Sequence, residues 1–269
     1  MRPNTNASGR AKITGVALLR LNDHDLEYET HGSLAGRTLV FLHEGLGSVS
    51  AWRDFPARLA EATGLGAFVF SRRGYGRSSP LARPFTPSFM HDEARVLPEV
   101  LRAAGVGEAI LVGHSDGASI ALLHAASRPR NVTALLLEAP HVFVEECTVA
   151  SIARLRERSR EPEVVERFRR HHGENAVPLL AAWTGAWLDP AFRGWNIEAS
   201  LPAIECPVLV IQGEDDEYGT LEQVRAIERG VKSRVETLVL PTCGHSPHRD
   251  RPAETIDAMA RFAGVPRDS

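Results

Sequence analysis

The chain has 269 residues, 43% of them hydrophobic and 24% charged, and 31 Lys and Arg stand against 34 Asp and Glu for a formal net charge of −3. That apolar content supplies one sizeable core and excludes a disordered chain. The charge balance excludes the basic footprint of a nucleic-acid binder, and three cysteines without a CxxC pair exclude a disulfide framework and a zinc ribbon.

In chain order, residues 1–15 are polar and predict a flexible tail without the apolar stretch of a secretory signal. No apolar run approaches the roughly 18–20 residues needed to span a bilayer, so a cytoplasmic chain without membrane contact is expected. Residues 16–21 and 26–30 have the spacing of an antiparallel pair turned at Asn22-Asp23. Strands at 38–42, 67–71, 109–113 and 133–138 then alternate with helices at 50–62, 90–104 and 116–127. The rhythm resumes with a strand at 208–212, a helix at 221–231, a strand at 237–240 and a helix at 252–263. Strands this uniformly apolar fit a mostly parallel sheet covered by helices on both faces, an α/β architecture. Pro98, inside the helix at 90–104, predicts a kink or a later helix start.

Between residues 139 and 200 the alternation stops for longer than an ordinary connection. Helical patterns at 149–159, 163–172 and 177–188 predict an inserted helical lid over 141–200, dividing a core made of 16–140 and 201–269. Arg154, Arg156, Arg158, Arg160, Arg167, Arg169 and Arg170 interleave with Glu157, Glu161, Glu163 and Glu166, which predicts a solvated mixed-charge surface. Trp183, Trp187 and Trp195 are expected as lid core or pocket wall, with Trp183 and Trp187 as substrate contacts.

The strongest chemical signal is Gly113-His114-Ser115-Asp116-Gly117, a G-x-S-x-G between an apolar strand and a helix. That context suits a nucleophile elbow, where a strained turn holds a serine hydroxyl at the sheet edge. A helix beginning at Asp116 turns free N–H groups toward developing negative charge. Carboxylates follow in Gly213-Glu214-Asp215-Asp216, and Gly244-His245 follows the strand after it. The order is serine, acid, histidine. No H-E-x-x-H or comparable spacing points to a metal, and Arg73-Gly74-Tyr75-Gly76-Arg77-Ser78 lacks the lysine of a phosphate loop. No cofactor is expected. Cys243 is near the histidine, but a serine already occupies the elbow.

Together with His43-Glu44-Gly45-Leu46-Gly47-Ser48, these motifs resemble the α/β-hydrolase superfamily over residues 16 to 264. The resemblance is to its lidded esterase, lactonase and C–C hydrolase branch. It implies an α/β-hydrolase fold with Ser115 as nucleophile and His245 as base. It selects Asp216 as the orienting acid, with Asp215 and Glu138 as the alternatives. His248 is expected at the surface or pocket rim. The resemblance also implies an oxyanion hole made by the backbone N–H groups of Asp116 and Gly45. Glu44 replaces a glycine common in relatives. It either faces outward or pairs with an arginine such as Arg72 or Arg73, or else it meets a polar or cationic substrate group. His43 is expected to order the turn.

The implied activity is hydrolysis of a small or medium ester or lactone. C–C hydrolase, thioesterase, low-turnover ligand sensor and cofactor-free haloperoxidase or perhydrolase are the alternatives. Relatives that open epoxides or remove halides place Asp on the elbow and are disfavoured. The expected partner is a small molecule, and assembly into a homo-oligomer is left open.

Overall fold

A computed structural model describes residues 17–264, so the expected tail at 1–15 lies outside the described residues. β1 (Ala17–Arg20) and β2 (Asp25–His31) pair antiparallel, and the Leu21 N–H closes their turn on the His24 carbonyl at 2.9 Å. β3 (Arg37–Leu42), β4 (Gly66–Phe70), β5 (Glu108–His114), β6 (Val132–Glu138), β7 (Val208–Gly213) and β8 (Val235–Leu240) complete one eight-stranded sheet. Its order is β1-β2-β4-β3-β5-β6-β7-β8. β2 meets β4 antiparallel, and every pairing from β4 to β8 is parallel.

The apolar strands serve two cores at once. Leu39 and Phe41 of β3 enter one face and Val40 and Leu42 the other; Val208 and Val210 oppose Leu209 and Ile211 on β7. One face is covered by α1 (Phe55–Thr63) and α9 (Pro252–Ala263), which pack on each other. The other carries α2 (Phe89–Ala103), α3 (Asp116–Ala126) and α7 (Leu221–Gly230). Each fully buried aliphatic side chain of this kind contributes about 1.5–3 kcal/mol.

Two local expectations are corrected. The helix expected at 50–62 is a 3-10 turn at Val49–Trp52 followed by α1, because Arg53 takes φ 55° and breaks the helical path. Pro98 does not delay α2, which starts at Phe89 and runs through it. Its missing N–H orphans the carbonyl four residues back, and His124 Nδ1 on α3 donates to that Ala94 carbonyl at 3.3 Å instead.

Between β6 and β7 run α4 (Glu146–Arg158), α5 (Pro162–His172) and α6 (Ala176–Trp187), where the sequence pattern placed three helices. α4 and α5 both pack on α6. The His172 ring ties this insertion to the loops after β4 and β3, its Nδ1 accepting from the Gly76 N–H at 2.9 Å and its Nε2 donating to the Leu46 carbonyl at 3.0 Å.

Candidate active site

Ser115 sits between β5 and α3 with φ 54° and ψ −120°, a conformation costly for any residue with a Cβ. The turn is possible because the neighbouring backbones touch. A Cβ at Gly113 would lie 2.6 Å from Ala118 Cα, and one at Gly117 would run into the Leu42 carbonyl. The Ser115 N–H donates to the Glu138 carbonyl at 2.9 Å, which pins the turn to the end of β6.

His245 follows β8, and its Nδ1 lies 2.8 and 2.9 Å from the two Asp216 oxygens. Asp216 is fully engaged. Gln212 Nε2 donates to its Oδ2 at 2.7 Å, and the Tyr218 and Gly219 N–H groups donate to its Oδ1 at 2.8 and 3.2 Å. Burial alone would raise this carboxyl, but His245 and the Tyr218 N–H outweigh it and hold the group below its ordinary value. Asp215 is exposed and offers only its backbone to the Cys243 carbonyl. Among the described residues no protein group, Ser115 Oγ included, hydrogen-bonds His245 Nε2, and Ser115 and His245 line the same cavity.

The loop after β3 is braced at a single peptide. The Glu44 carbonyl accepts from His43 Nδ1 at 2.7 Å, Arg72 Nη2 at 3.0 Å and the Gly47 N–H at 3.1 Å. Three donors on one carbonyl fix the Glu44–Gly45 peptide and polarise it, strengthening the Gly45 N–H as a donor. His43 is neutral: burial, then the charge of Arg72, pushes its pKa well down, and its Nε2 accepts from the Arg72 N–H at 3.0 Å. A Cβ at Gly45 would collide with the Trp183 indole. The Asp116 carboxyl is buried beneath the elbow, where Trp183 Nε1 donates to its Oδ2 at 2.7 Å and burial pushes its pKa up.

Glu44 is paired with an arginine, but the partner is Arg249 at 3.2 Å. Arg72 reaches only the Glu44 backbone, and Arg73 pairs with Asp23. His114 Nδ1 lies 3.4 Å from the other carboxylate oxygen. Burial would raise Glu44; His114 and Arg249 outweigh it and keep the group ionised. The carboxylate is thus neutralised in place.

His248, expected at the rim, is buried. Its Nδ1 lies 2.8 Å from Glu138 Oε2, and its N–H donates to the same oxygen at 2.9 Å. This corrects the expectation, because the turn at Pro247 points the ring inward against Trp52 and His114. Glu138 therefore serves His248, not His245. The structure also brings in residues that the sequence did not single out: His141 and Tyr218, whose rings lie 5.7 and 4.7 Å from His245. Burial, then the His245 charge, pushes His141 down to about 3. Burial pushes the Cys243 thiol up to about 11, which leaves it un-nucleophilic.

A cavity of about 430 Å³ opens above Ser115. Glu44, Gly45, His114, His245, Trp183 and Trp187 line it, together with residues of α4 and α5. A larger cavity of about 860 Å³ lies at the opposite sheet edge, where β3, β5 and β6 begin, and holds none of the candidate residues. In open parallel sheets, chemistry gathers at the carboxyl ends of the strands, which favours the smaller cavity. Among the described residues no cluster of three His, Cys, Asp or Glu is arranged to hold a metal ion, and no helix is long and apolar enough to cross a membrane.

A family model described as alpha/beta hydrolase family matches residues 39–258. The chain belongs to that family. This family member is 26% identical over 252 residues to 2-succinyl-6-hydroxy-2,4-cyclohexadiene-1-carboxylate synthase of Enterobacter sp. (strain 638), covering 83% of this chain and 90% of that one. Among solved structures it is similar to MGS-M2, an alpha/beta hydrolase enzyme from a Medee basin deep-sea metagenome library. The TM-score is 0.78 at 18% identity, covering 94% and 99% of the two chains. It is also similar to a thermophilic esterase from Thermogutta terrifontis, with a TM-score of 0.70 at 22% identity and coverage of 89% and 93%. Both likenesses establish the shared fold.

Proposed function

We propose that the protein is a serine hydrolase that cleaves a small or medium ester or lactone through an acyl-enzyme on Ser115. The observation that carries this reading is the His245 Nδ1–Asp216 contact at 2.8 Å beside a cavity that Ser115 and His245 line together. In this mechanism His245 Nε2 takes the Ser115 proton as Oγ attacks the carbonyl carbon, and Asp216 holds the imidazole in the tautomer with Nδ1–H. The N–H groups of Gly45 and Asp116 receive the oxyanion, each worth roughly 100- to 1000-fold in turnover. His245 then returns the proton to the leaving alcohol, and water activated by the same ring releases the acid.

The family membership and the cavity volume support this reading, since about 430 Å³ suits a small ligand. The helices α4–α6 act in it as the lid. The test is steady-state turnover of p-nitrophenyl acetate by the wild type, Ser115→Ala and His245→Ala. The expected result is a loss of at least about 10⁴-fold in each variant with unchanged circular dichroism. Turnover retained in Ser115→Ala would remove the nucleophile, and a wild type inert toward every ester would favour a ligand sensor.

A further inference from the structure

Three arginines from separate elements converge on the mouth of the cavity above Ser115. Arg53 comes from the turn before α1, Arg167 from α5, and Arg249 from α8 (Pro247–Asp250). The lining offers them one carboxylate, Glu44, which is already occupied by Arg249 and by His114. Among the described residues neither Arg53 nor Arg167 is ion-paired with a carboxylate, and the Arg167 guanidinium packs 5.4 Å over the ring of Phe168, another wall residue. Of the insertion's other arginines, Arg158 pairs with Glu161 at 3.5 Å and Arg154 donates to Ser151 Oγ, while Arg156, Arg160, Arg169 and Arg170 are exposed and lie outside the cavity lining. Arg167 is exposed like them but belongs to the cavity lining.

A second observation bears on Arg53, the one arginine of this cavity's lining with a positive φ. Its backbone has φ 55° and ψ −127°, nearly that of Ser115 (54°, −120°) and of Gly173 (55°, −131°). Glycine adopts this conformation freely, and a side chain there is strained. At position 173 the chain places the glycine. At position 53 it places an arginine, exposed and part of the cavity lining. The field there is felt by His171, another wall residue. Burial first, then the charges of Arg249, Arg170 and Arg53, lower its pKa.

We propose that the substrate carries a carboxylate, bound at the cavity mouth by Arg53 and Arg167, while its ester or lactone carbonyl reaches Ser115. The substrate class is then the half-ester of a small dicarboxylic acid, or a lactone acid. A guanidinium presents a planar fork that matches a carboxylate, and a pair already spent on Glu44 leaves no acidic group to attract a cation. This rests on the Ser115 hydrolase reading for turnover but not for binding, and the two can be tested apart.

Binding is measured first on Ser115→Ala, by quenching of the tryptophans in the cavity wall, with monomethyl glutarate and with methyl pentanoate. These differ in a carboxylate for a methyl group. The half-ester is expected to bind at least about tenfold more tightly at low salt, as one charge-assisted contact implies, and the gap should shrink as salt rises. Adding Arg53→Gly, which relieves the backbone, or Arg167→Gln should reduce that preference at least about threefold. Equal binding of the two esters, or an unchanged preference in both arginine variants, would overturn the proposal. Wild-type turnover of the same pair, followed by pH-stat, should show the same preference in kcat/KM. Preferential binding without turnover of either ester would instead overturn the Ser115 reading and leave the carboxylate subsite standing.

Discussion

Two histidine–carboxylate pairs stand side by side behind Ser115, and their exposure separates their duties. The His245 ring is 13% exposed and lines the cavity, whereas His248 and Glu138 are 1% and 0% exposed and line none of it. In the proposed mechanism only the first pair can pass a proton to a substrate. Asp216→Asn is therefore expected to lower kcat by about 10⁴-fold, because an amide cannot hold the Nδ1–H tautomer. Asp215→Asn, on an exposed residue outside the site, should leave kcat unchanged; steady-state kinetics on p-nitrophenyl acetate compares the two. The contact of Asp216 with His245 is the one that the family resemblance implied for the loop Gly213-Glu214-Asp215-Asp216. The partner of Glu44 was not legible in the sequence, since Arg249 lies 205 residues further along the chain and only the fold brings them together. His248 was misread for the same reason. Nothing local to Ser246-Pro247-His248 announces a carboxylate waiting at the end of β6.

Among the elements, α2 shows how a broken local rule is repaired across the structure. Pro98 deprives the Ala94 carbonyl of its helical donor, and His124 from α3 supplies one. His124→Leu should destabilise the protein by about 1–3 kcal/mol by leaving that buried carbonyl unpaired. Pro98→Ala restores a helical N–H, so in the double variant most of that cost should be recovered; urea denaturation of the cycle measures the coupling. Equal costs with and without Pro98 would show that His124 acts only by filling space. The strands and helices were readable in advance because their apolar periods are strong. The break at Arg53 was not, because positive φ at an arginine leaves no mark in the pattern of apolar residues. The insertion was legible as an interruption of the β–α rhythm, while the place of Arg167 in the cavity lining depends on how α5 packs on α6.

At the scale of the whole molecule, several buried histidines are neutral by design of their surroundings. Burial is the first cause lowering the pKa of His43, His141, His172 and His248, while His114, beside Glu44, is shifted the other way. Below the ordinary value of 6.5 the unfolded chain takes up protons that the folded one refuses, so stability held above that pH is lost as pH falls. Tm by circular dichroism should accordingly drop between about pH 7 and pH 5, with His114 offsetting part of the loss. A Tm that stays flat or rises over that range would contradict the assignment of neutral rings. The two-faced parallel sheet brings serine, acid and histidine, far apart in sequence, to one rim of the molecule, and the decisive test asks whether they act there as one. Acid-quenching the wild type during turnover of p-nitrophenyl acetate, then mapping the digest by mass spectrometry, should find one acetyl group on the peptide carrying Ser115. The adduct should be absent from Ser115→Ala. Turnover with Ser115 unmodified under those conditions, or an acetyl group that persists in Ser115→Ala and lies on another side chain, would contradict the account.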